Sequence, residues 1–157
     1  TPGGLPALRL LRASGQSRAV ITAMVKTPPS AQTVSVWVGI PAAAVPPEPP
    51  ELRLLGLFAN GPSAVDLAPD PDAAPQTLAL ITWTRYQALI DEGPLGWSSL
   101  MVTHKSSEAG YLTSPVLVPG HPSAASKSRR RVAQPRPLTA EERANLDGLF
   151  RQFRDRF

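Results

Sequence analysis

The sequence contains no cysteine. The chain therefore has no disulfide, no thiolate zinc site, no iron–sulfur cluster and no thiol nucleophile. It also has no uninterrupted apolar run of about 18 residues, so we expect no transmembrane helix. Its first residues lack the basic stretch and apolar run of a secretory signal, so we expect no signal peptide. Long helices are excluded from most of the chain, because 19 of its 157 residues are proline and proline breaks a helix interior.

The positive charge is concentrated near one end of the chain. Residues 1–124 contain seven Lys or Arg and eight Asp or Glu, whereas residues 125–157 contain nine Lys or Arg and four Asp or Glu. The formal net charge of +4 is therefore carried by the last fifth of the chain. The length suits one domain with a single core.

Short strands separated by Pro and Gly turns dominate the first three quarters of the sequence. In residues 33–40, Val and Ile alternate with Thr, Ser and Trp, the period of two that is typical of a half-buried strand. Residues 85–92 are compatible with one or two helical turns, and Pro115 predicts an edge or bulged strand. Residues 1–18, which are rich in Gly and Pro at the start and read Leu-Arg-Leu-Leu-Arg over 8–12, fit an arm or a first edge strand. The other predicted strands cover residues 18–26, 52–58, 65–67, 77–84, 99–105 and 111–118.

This spacing predicts an all-β fold. Seven or eight short strands with turn signals every 8–15 residues are typical of an antiparallel sandwich or barrel. We predict a single antiparallel, jelly-roll-like β-sandwich over residues 1–119. A basic linker rich in Pro, Ser and Arg follows at residues 120–138, and an amphipathic α-helix occupies residues 139–157.

The C-terminal helix has a clear start and one apolar face. Thr139, with Glu142 three residues later, forms the sequence pattern of a capping box. A helix of about four turns is marginal alone in water, so its apolar face needs a partner, either the chain's own sandwich or a neighbouring subunit. We predict a subunit interface at the stripe Leu146, Leu149, Phe150 and Phe153.

The linker is the candidate nucleic-acid-binding segment. Five cations lie within ten residues with no acid among them, namely Lys127, Arg129, Arg130, Arg131 and Arg136. Such a run attracts phosphates without sequence preference, through counterion release. No aromatic residue is interleaved, so base stacking is not expected. A solvated, flexible linker is the alternative interpretation.

Nucleophilic chemistry has one candidate pair, Ser63 with Lys105. The motif Gly-Pro-Ser-Ala at residues 61–64, with a lysine 42 residues after the serine, resembles the Ser–Lys dyad of the Lon and birnavirus polyprotein proteases. That resemblance implies a lysine acting as the base for the serine hydroxyl. Those families continue with an apolar helix, which Pro69 and Pro71 forbid here. We therefore prefer a turn serine and a strand-end lysine.

The two histidines do not form a recognisable site. His104 and His121 are 17 residues apart, a spacing that predicts neither a metal site nor a catalytic triad. His104 alternates with apolar residues, so we expect it at the edge of the core. We predict a non-enzymatic protein with no catalytic residue, no metal and no cofactor.

The overall plan resembles the jelly-roll coat proteins of small icosahedral RNA viruses. The strand series over residues 19–118 and the basic segment over 127–136 correspond to their sandwich and their RNA-contacting arm. The resemblance implies a virion component whose partners are copies of itself or sister coat subunits, and RNA phosphates, without a membrane. Basic arms in that family are usually N-terminal, whereas this one follows the last strand.

A second family resemblance implies a different function. The stretches Leu-Gly-Leu-Phe at residues 55–58 and Thr-Ser-Pro-Val-Leu-Val at 113–118 are similar to strands of the extracytoplasmic sandwich of anti-sigma factors. This resemblance implies a monomeric binding module, cytoplasmic or secreted, but it does not explain the basic segment or the helix. In that alternative, we expect the helix to pack on its own domain. The sequence favours the self-assembling coat subunit, with the binding module as the first alternative and a Ser–Lys protease that uses Ser63 and Lys105 as the second.

Overall fold

A computed structural model of the chain describes residues 1–11, 19–27, 30, 32–43, 50–91, 94, 96–105, 109–119 and 132–156. Within these residues, no helix is long and apolar enough to cross a membrane. After a 3-10 turn at Pro2–Gly4, the elements in chain order are β1 (Ala7–Leu10), β2 (Ala19–Thr27), β3 (Gln32–Pro41), β4 (Glu51–Phe58), β5 (Gly61–Pro69), β6 (Gln76–Leu78), β7 (Ile81–Ile90), β8 (Gly96–His104), β9 (Gly110–Thr113), β10 (Val116–Pro119), β11 (Arg136–Pro137) and α1 (Ala140–Arg156).

Eight strands form one strongly curled antiparallel sheet, a half-barrel. Their order across the sheet is β1-β9-β3-β7-β5-β4-β8-β2. The curl is continued through β5, which pairs with β4 over residues 61–67 and with β7 at residues 68–69. The short strands β6, β10 and β11 pair with β7, β3 and β5 respectively. The prediction of an all-β antiparallel fold with a C-terminal helix is thereby confirmed.

The hydrophobic core fills the inside of the curl. Alternate residues of the strands point inward, as the two-residue period of a β-strand requires, and β3, β4 and β7 also carry buried residues on their outer faces. Because strands from both halves of the curl contribute, the core is continuous from one edge of the sheet to the other. Its largest fully buried members are Leu10, Val34, Val36, Leu54, Ile90 and Leu100.

The helix α1 packs on the outer face of the sheet, over β4, β5 and β8. Leu146 of the helix joins Leu55, Ala64 and Met101 in a second apolar cluster, with Leu138 against it. These sheet residues alternate with inward-facing core residues, so β4, β5 and β8 are buried on both faces. The helix thus covers an apolar surface of its own domain.

The prediction of helical turns at residues 85–92 is wrong. Residues 85–90 are the second half of β7, paired along their length with β3. Tyr86, Ala88 and Ile90 belong to the inner core, and the burial of every residue from 86 to 90 outweighs the helix-forming residue types among them.

The strand predicted over residues 77–84 is divided by a turn. Residues 76–78 form β6, and the chain reverses at Ala79 and Leu80 before β7 begins. Both turn residues have positive φ, 50° and 63°, as a two-residue type I′ turn requires. Neither is a Gly, Asn or Asp, so the sequence carries no turn signal here.

Candidate functional site

A cluster of four charged side chains joins the helix to the sheet. We call it the helix anchor; it consists of Arg53 on β4, Asp66 on β5, Arg136 on β11 and Glu142 on α1. Arg53 Nε donates to Glu142 Oε2 at 2.9 Å. Arg136 Nη1 donates to Glu142 Oε1 at 2.8 Å, and its Nε and Nη2 each donate to Asp66 at 2.8 Å. The side chain of Glu142 is 2% exposed, so its charge is stabilised by two arginines.

Local geometry at the start of α1 positions Glu142. Thr139 Oγ1 accepts a hydrogen bond from the backbone N–H of Glu142 at 3.2 Å. In return, Glu142 Oε1 accepts from the backbone N–H of Thr139 at 2.9 Å. The capping box predicted from the sequence is therefore confirmed. The same carboxylate serves as a helix cap and as the centre of the helix anchor.

The hydrogen bonds of the helix anchor shift the pKa values of Glu142 and Arg136. Hydrogen bonding from Arg136, assisted by Thr139 and opposed by burial, lowers the pKa of Glu142 to about 2. The hydrogen bonds that Arg136 donates to Asp66 and Glu142 raise the pKa of the guanidinium. Both groups are thus held in their charged forms at neutral pH.

Arg136 is therefore placed differently from a free linker arginine. Its donors face two carboxylates of its own chain, and its backbone pairs with Ala64 in the sheet. The other cations predicted to bind nucleic acid, Lys127 and Arg129–Arg131, lie outside the described residues, so their binding stays a prediction. Arg136 belongs to the link between helix and sheet.

Both flanks of the basic segment are attached to the same end of the sheet. Pro119 pairs with Gln32 on β3, and Val132 bridges to Leu89 on β7. Gln32 pairs with Ile90, the neighbour of Leu89. The two attachment points therefore lie on either side of the β3–β7 pair, about 14 Å apart at normal strand spacing. The segment 120–131 thus starts and ends on one domain.

The predicted apolar stripe of α1 is only partly available to a neighbour. Leu146 is 2% exposed and contacts the sheet. Leu149 is half-buried, and Phe150 is 37% exposed. The side chain of Phe153 lies outside the described part of the molecule. The subunit interface stays a prediction, for which Phe150 has the most exposed surface among the described members.

Ser63 and Lys105 are not brought together. Ser63 Oγ donates to the carbonyl of Gly61 at 3.2 Å, whereas Lys105 Nζ donates to Glu51 Oε1 at 3.0 Å. Ser63 pairs with Gly56, five residues along β4 from Glu51, which corresponds to about 17 Å. A Ser–Lys dyad needs direct hydrogen-bond contact, and this geometry does not provide it.

His104 is a buried core residue, as its alternation predicted. It is 3% exposed and packs against Gly110, where a Cβ atom would lie 2.8 Å from the imidazole Cε1. His121 lies outside the described residues. No group of three His, Asp or Glu side chains in the described residues is arranged to hold a metal ion.

A small cavity opens at the end of β7. We call it the β7-end cavity; its volume is about 180 Å³. Its apolar wall includes Phe58 and Ile90, which are core residues. The polar part of its lining comes from Asn60, Asp91 and Gln134. No sequence pattern indicates this cavity, because its lining comes from three segments that are distant along the chain.

No protein-family model, curated protein or solved structure matches this chain. The functional argument therefore rests on the residues themselves. Sequence patterns located Glu142 through its capping box but missed its two arginine partners. Arg53 carried a usable signal, because it is a charged residue inside the apolar strand segment 52–58, and a charge in that position needs a partner.

Proposed function

We propose that the protein is a non-catalytic, self-assembling structural subunit of the coat-protein type, which contacts RNA phosphates through Lys127, Arg129, Arg130 and Arg131. The observation that carries the RNA contact is the separation of charge. Arg53, Arg85, Lys105 and Arg136 each face a carboxylate, whereas residues 109–140 contain no Asp or Glu. The sequence thus has its longest run of cations without a neighbouring acid at residues 127–131.

Free strand edges support self-assembly. The strand order ends at β1 and β2, so the described sheet has one unpaired edge on each of these strands. Unpaired edges present backbone N–H and C=O groups that readily pair with another chain. The jelly-roll plan of coat proteins is part of this proposal, supported by the antiparallel pairing and by the apolar core inside the curl.

The RNA contact is tested by fluorescence anisotropy with a single-stranded RNA oligonucleotide. Four phosphate contacts predict that the affinity falls roughly 50-fold between about 50 and 200 mM salt, since each contact to a single strand contributes a slope of about −0.7. Replacing the four cations by Gln should abolish this salt dependence. Gln at the exposed Arg9 and Lys26 is the matched control and should change little. Binding that is unaffected by the fourfold replacement would overturn the RNA contact.

A monomeric binding module is the second candidate. The observation that favours it is the docking of α1 on its own sheet, where Glu142 and Leu146 are both 2% exposed. In a monomeric module, the protein sediments as a single species at every salt concentration and does not bind RNA. Sedimentation velocity at low and high salt separates this candidate from the coat subunit.

A further inference from the structure

Three aromatic side chains lie together on the outer face of the sheet, on the half that α1 does not cover. Trp37 on β3, Trp83 on β7 and Tyr111 on β9 alternate with residues of the inner core, so their side chains point outward. Gly39 lies between Tyr111 and Trp83 in the strand register. The two rings meet across this glycine, with centroids 6.2 Å apart.

The aromatic group depends on the glycine. A Cβ atom at residue 39 would lie 2.9 Å from the ring of Trp83 and 2.8 Å from Ile81 Cγ2, closer than packed carbon atoms approach. Gly39 therefore lets the indole of Trp83 lie directly over β3, where it is 2% exposed. Tyr111 and Trp37 stay partly exposed, so these two rings form the accessible part of the group.

Trp37 and Tyr111 are diagonal neighbours on adjacent strands. Tyr111 lies opposite Gly39, two residues along β3 from Trp37, and diagonal neighbours are about 7–8 Å apart, within reach of aromatic side chains. Sheets that bind single-stranded RNA stack two or three bases on aromatic residues of their face. Every base has a π-face, so such stacking does not require a particular sequence.

The charge of this half of the sheet suits a polyanion. β1, β3, β7 and β9 together contain two arginines and no Asp or Glu. Arg9 is exposed and lies opposite Tyr111, and Arg85 lies opposite Trp37. The carboxylate that pairs with Arg85 belongs to Asp70 and is fully buried, whereas the Arg85 side chain is 31% exposed. A strand of RNA on the two rings therefore has an arginine on either side.

We propose that Trp37 and Tyr111 form a stacking surface for the bases of single-stranded RNA, with Arg9 and Arg85 facing the adjoining phosphates. This inference rests on the proposed RNA contact and adds a second part to it, which holds bases where the segment 127–131 holds phosphates. The four side chains come from β1, β3, β7 and β9, so the sheet holds them in fixed register.

The stacking surface is close enough to the basic segment for one RNA molecule to contact both. Gln32 pairs with Pro119, the residue before segment 120–131. Trp37 is five residues further along β3, about 17 Å away, a distance that a few nucleotides of extended strand cover. Stacking of one base changes the affinity roughly 5- to 150-fold. Two stacked bases alone would bind weakly, so RNA binding still requires the phosphate contacts.

The test compares RNA with an abasic strand of the same length, which keeps the ribose–phosphate backbone and lacks the bases. In fluorescence anisotropy, the full chain should bind oligouridylate of about ten nucleotides at least about fivefold more tightly than the abasic strand. Trp37→Val keeps a residue that suits a strand and should lose this preference, with the salt dependence unchanged. Tyr111→Leu is the second variant, which replaces the first if Trp37→Val does not fold.

Two controls accompany these variants. Trp37→Phe retains a ring and should keep most of the preference for the base-containing strand. Leu57→Ala removes a leucine that is 40% exposed on the outer face of β4, away from the aromatic group, and should change neither affinity. Tryptophan fluorescence gives an independent signal, because a stacked base quenches an indole. Oligouridylate should quench the wild type more than Trp37→Phe, since Trp83 is buried in both.

The outcomes separate this inference from the proposed function. If the wild type binds RNA and the abasic strand equally well, with the expected salt dependence, the phosphate contact stands and the stacking surface is wrong. If Trp37→Val and Tyr111→Leu both keep the preference for RNA, the bases are bound elsewhere and the inference is likewise wrong. If the wild type binds neither strand, both the inference and the proposed RNA contact are overturned.

Discussion

At the residue scale, Glu142 links three parts of the structure. Its carboxylate caps α1, binds Arg53 on β4 and binds Arg136 on β11. Removing the carboxylate leaves the buried Arg53 guanidinium (5% exposed) without its anionic partner on the helix. A buried charge that loses its partner is costly even where the intact pair contributes little. The position therefore controls whether the helix stays on the sheet.

We predict that Glu142→Gln destabilises the protein by about 3 kcal/mol, the loss typical of a broken buried ion pair. Chemical denaturation of the purified chain gives the free energy of unfolding. Glu141→Gln is the matched control, because Glu141 is the exposed neighbour in the same turn, and it should change the free energy of unfolding by less than about 0.5 kcal/mol. Equal losses in the two variants would contradict the assigned role of Glu142.

The pH dependence of stability follows from the same carboxylate. Its pKa falls from an ordinary value of 4.5 to about 2 in the folded chain, so folding favours the deprotonated form. The stabilisation is complete above pH 4.5 and is lost as the pH falls towards 2, with a total of about 3 kcal/mol. Urea titrations at pH 6, 4 and 2 should show this loss in the wild type, and a smaller one in Glu142→Gln. Parallel curves for the two proteins would argue against it.

Arg136 differs in role from the cations that precede it. We predict that Arg136→Gln lowers the free energy of unfolding by about 2 kcal/mol, because it removes charge-assisted hydrogen bonds to Asp66 and Glu142. RNA affinity should remain within about twofold of the wild type at one salt concentration, less than the effect of one lost phosphate contact. Anisotropy and denaturation on the same variant check both parts. A large loss of affinity with unchanged stability would reverse the assignment.

At the element scale, neighbouring residues in the sequence determine where α1 begins, and residues distant in the sequence determine where it packs on the sheet. Replacing Thr139 by Ala removes the hydroxyl that accepts the N–H of Glu142. We predict a loss of about 1 kcal/mol, typical of a helix N-cap. Thr139→Ser should retain most of the stability, because its hydroxyl caps equally well. Thermal unfolding followed by circular dichroism measures the difference between the two variants.

Substitutions in the β6–β7 turn should increase the free energy of unfolding, whereas Thr139→Ala should lower it. Ala79→Asn with Leu80→Gly replaces two residues that disfavour positive φ by residues that accept it. We predict that this variant is more stable by about 1–2 kcal/mol, since each strained residue costs roughly that amount or less. A lower stability would mean that the two side chains contribute to folding, which their exposure argues against.

These two elements show what the sequence alone determines. The capping box and the strand over residues 33–40 are local patterns, and both predictions are confirmed, although β3 is buried on both faces and not half-buried as its alternation predicts. The turn at Ala79 and Leu80 was missed because its residues do not have the conformational preference that the turn requires. The second half of β7 was missed because its inward burial depends on strands that are distant in sequence. The helix anchor unites residues 53, 66, 136 and 142, a contact set that no local pattern contains.

At the scale of the whole molecule, the structure separates a charge-balanced β domain from a cationic segment attached at both ends. Pro119 pairs with β3 and Val132 with β7, so the residues that flank segment 120–131 in the sequence both attach at one end of the sheet. The cavity at the end of β7 is lined in part by Val132 and the residues after it. The RNA contact is thus proposed at the same end of the domain as this cavity.

The most direct test of the coat-type function is sedimentation velocity of the full chain with and without single-stranded RNA, at low and at high salt. We predict assemblies larger than a dimer at low salt, enlarged or stabilised by RNA, whose RNA dependence disappears at high salt because counterion release drives the phosphate contacts. A single monomeric species, identical with and without RNA at both salt concentrations, would contradict the account.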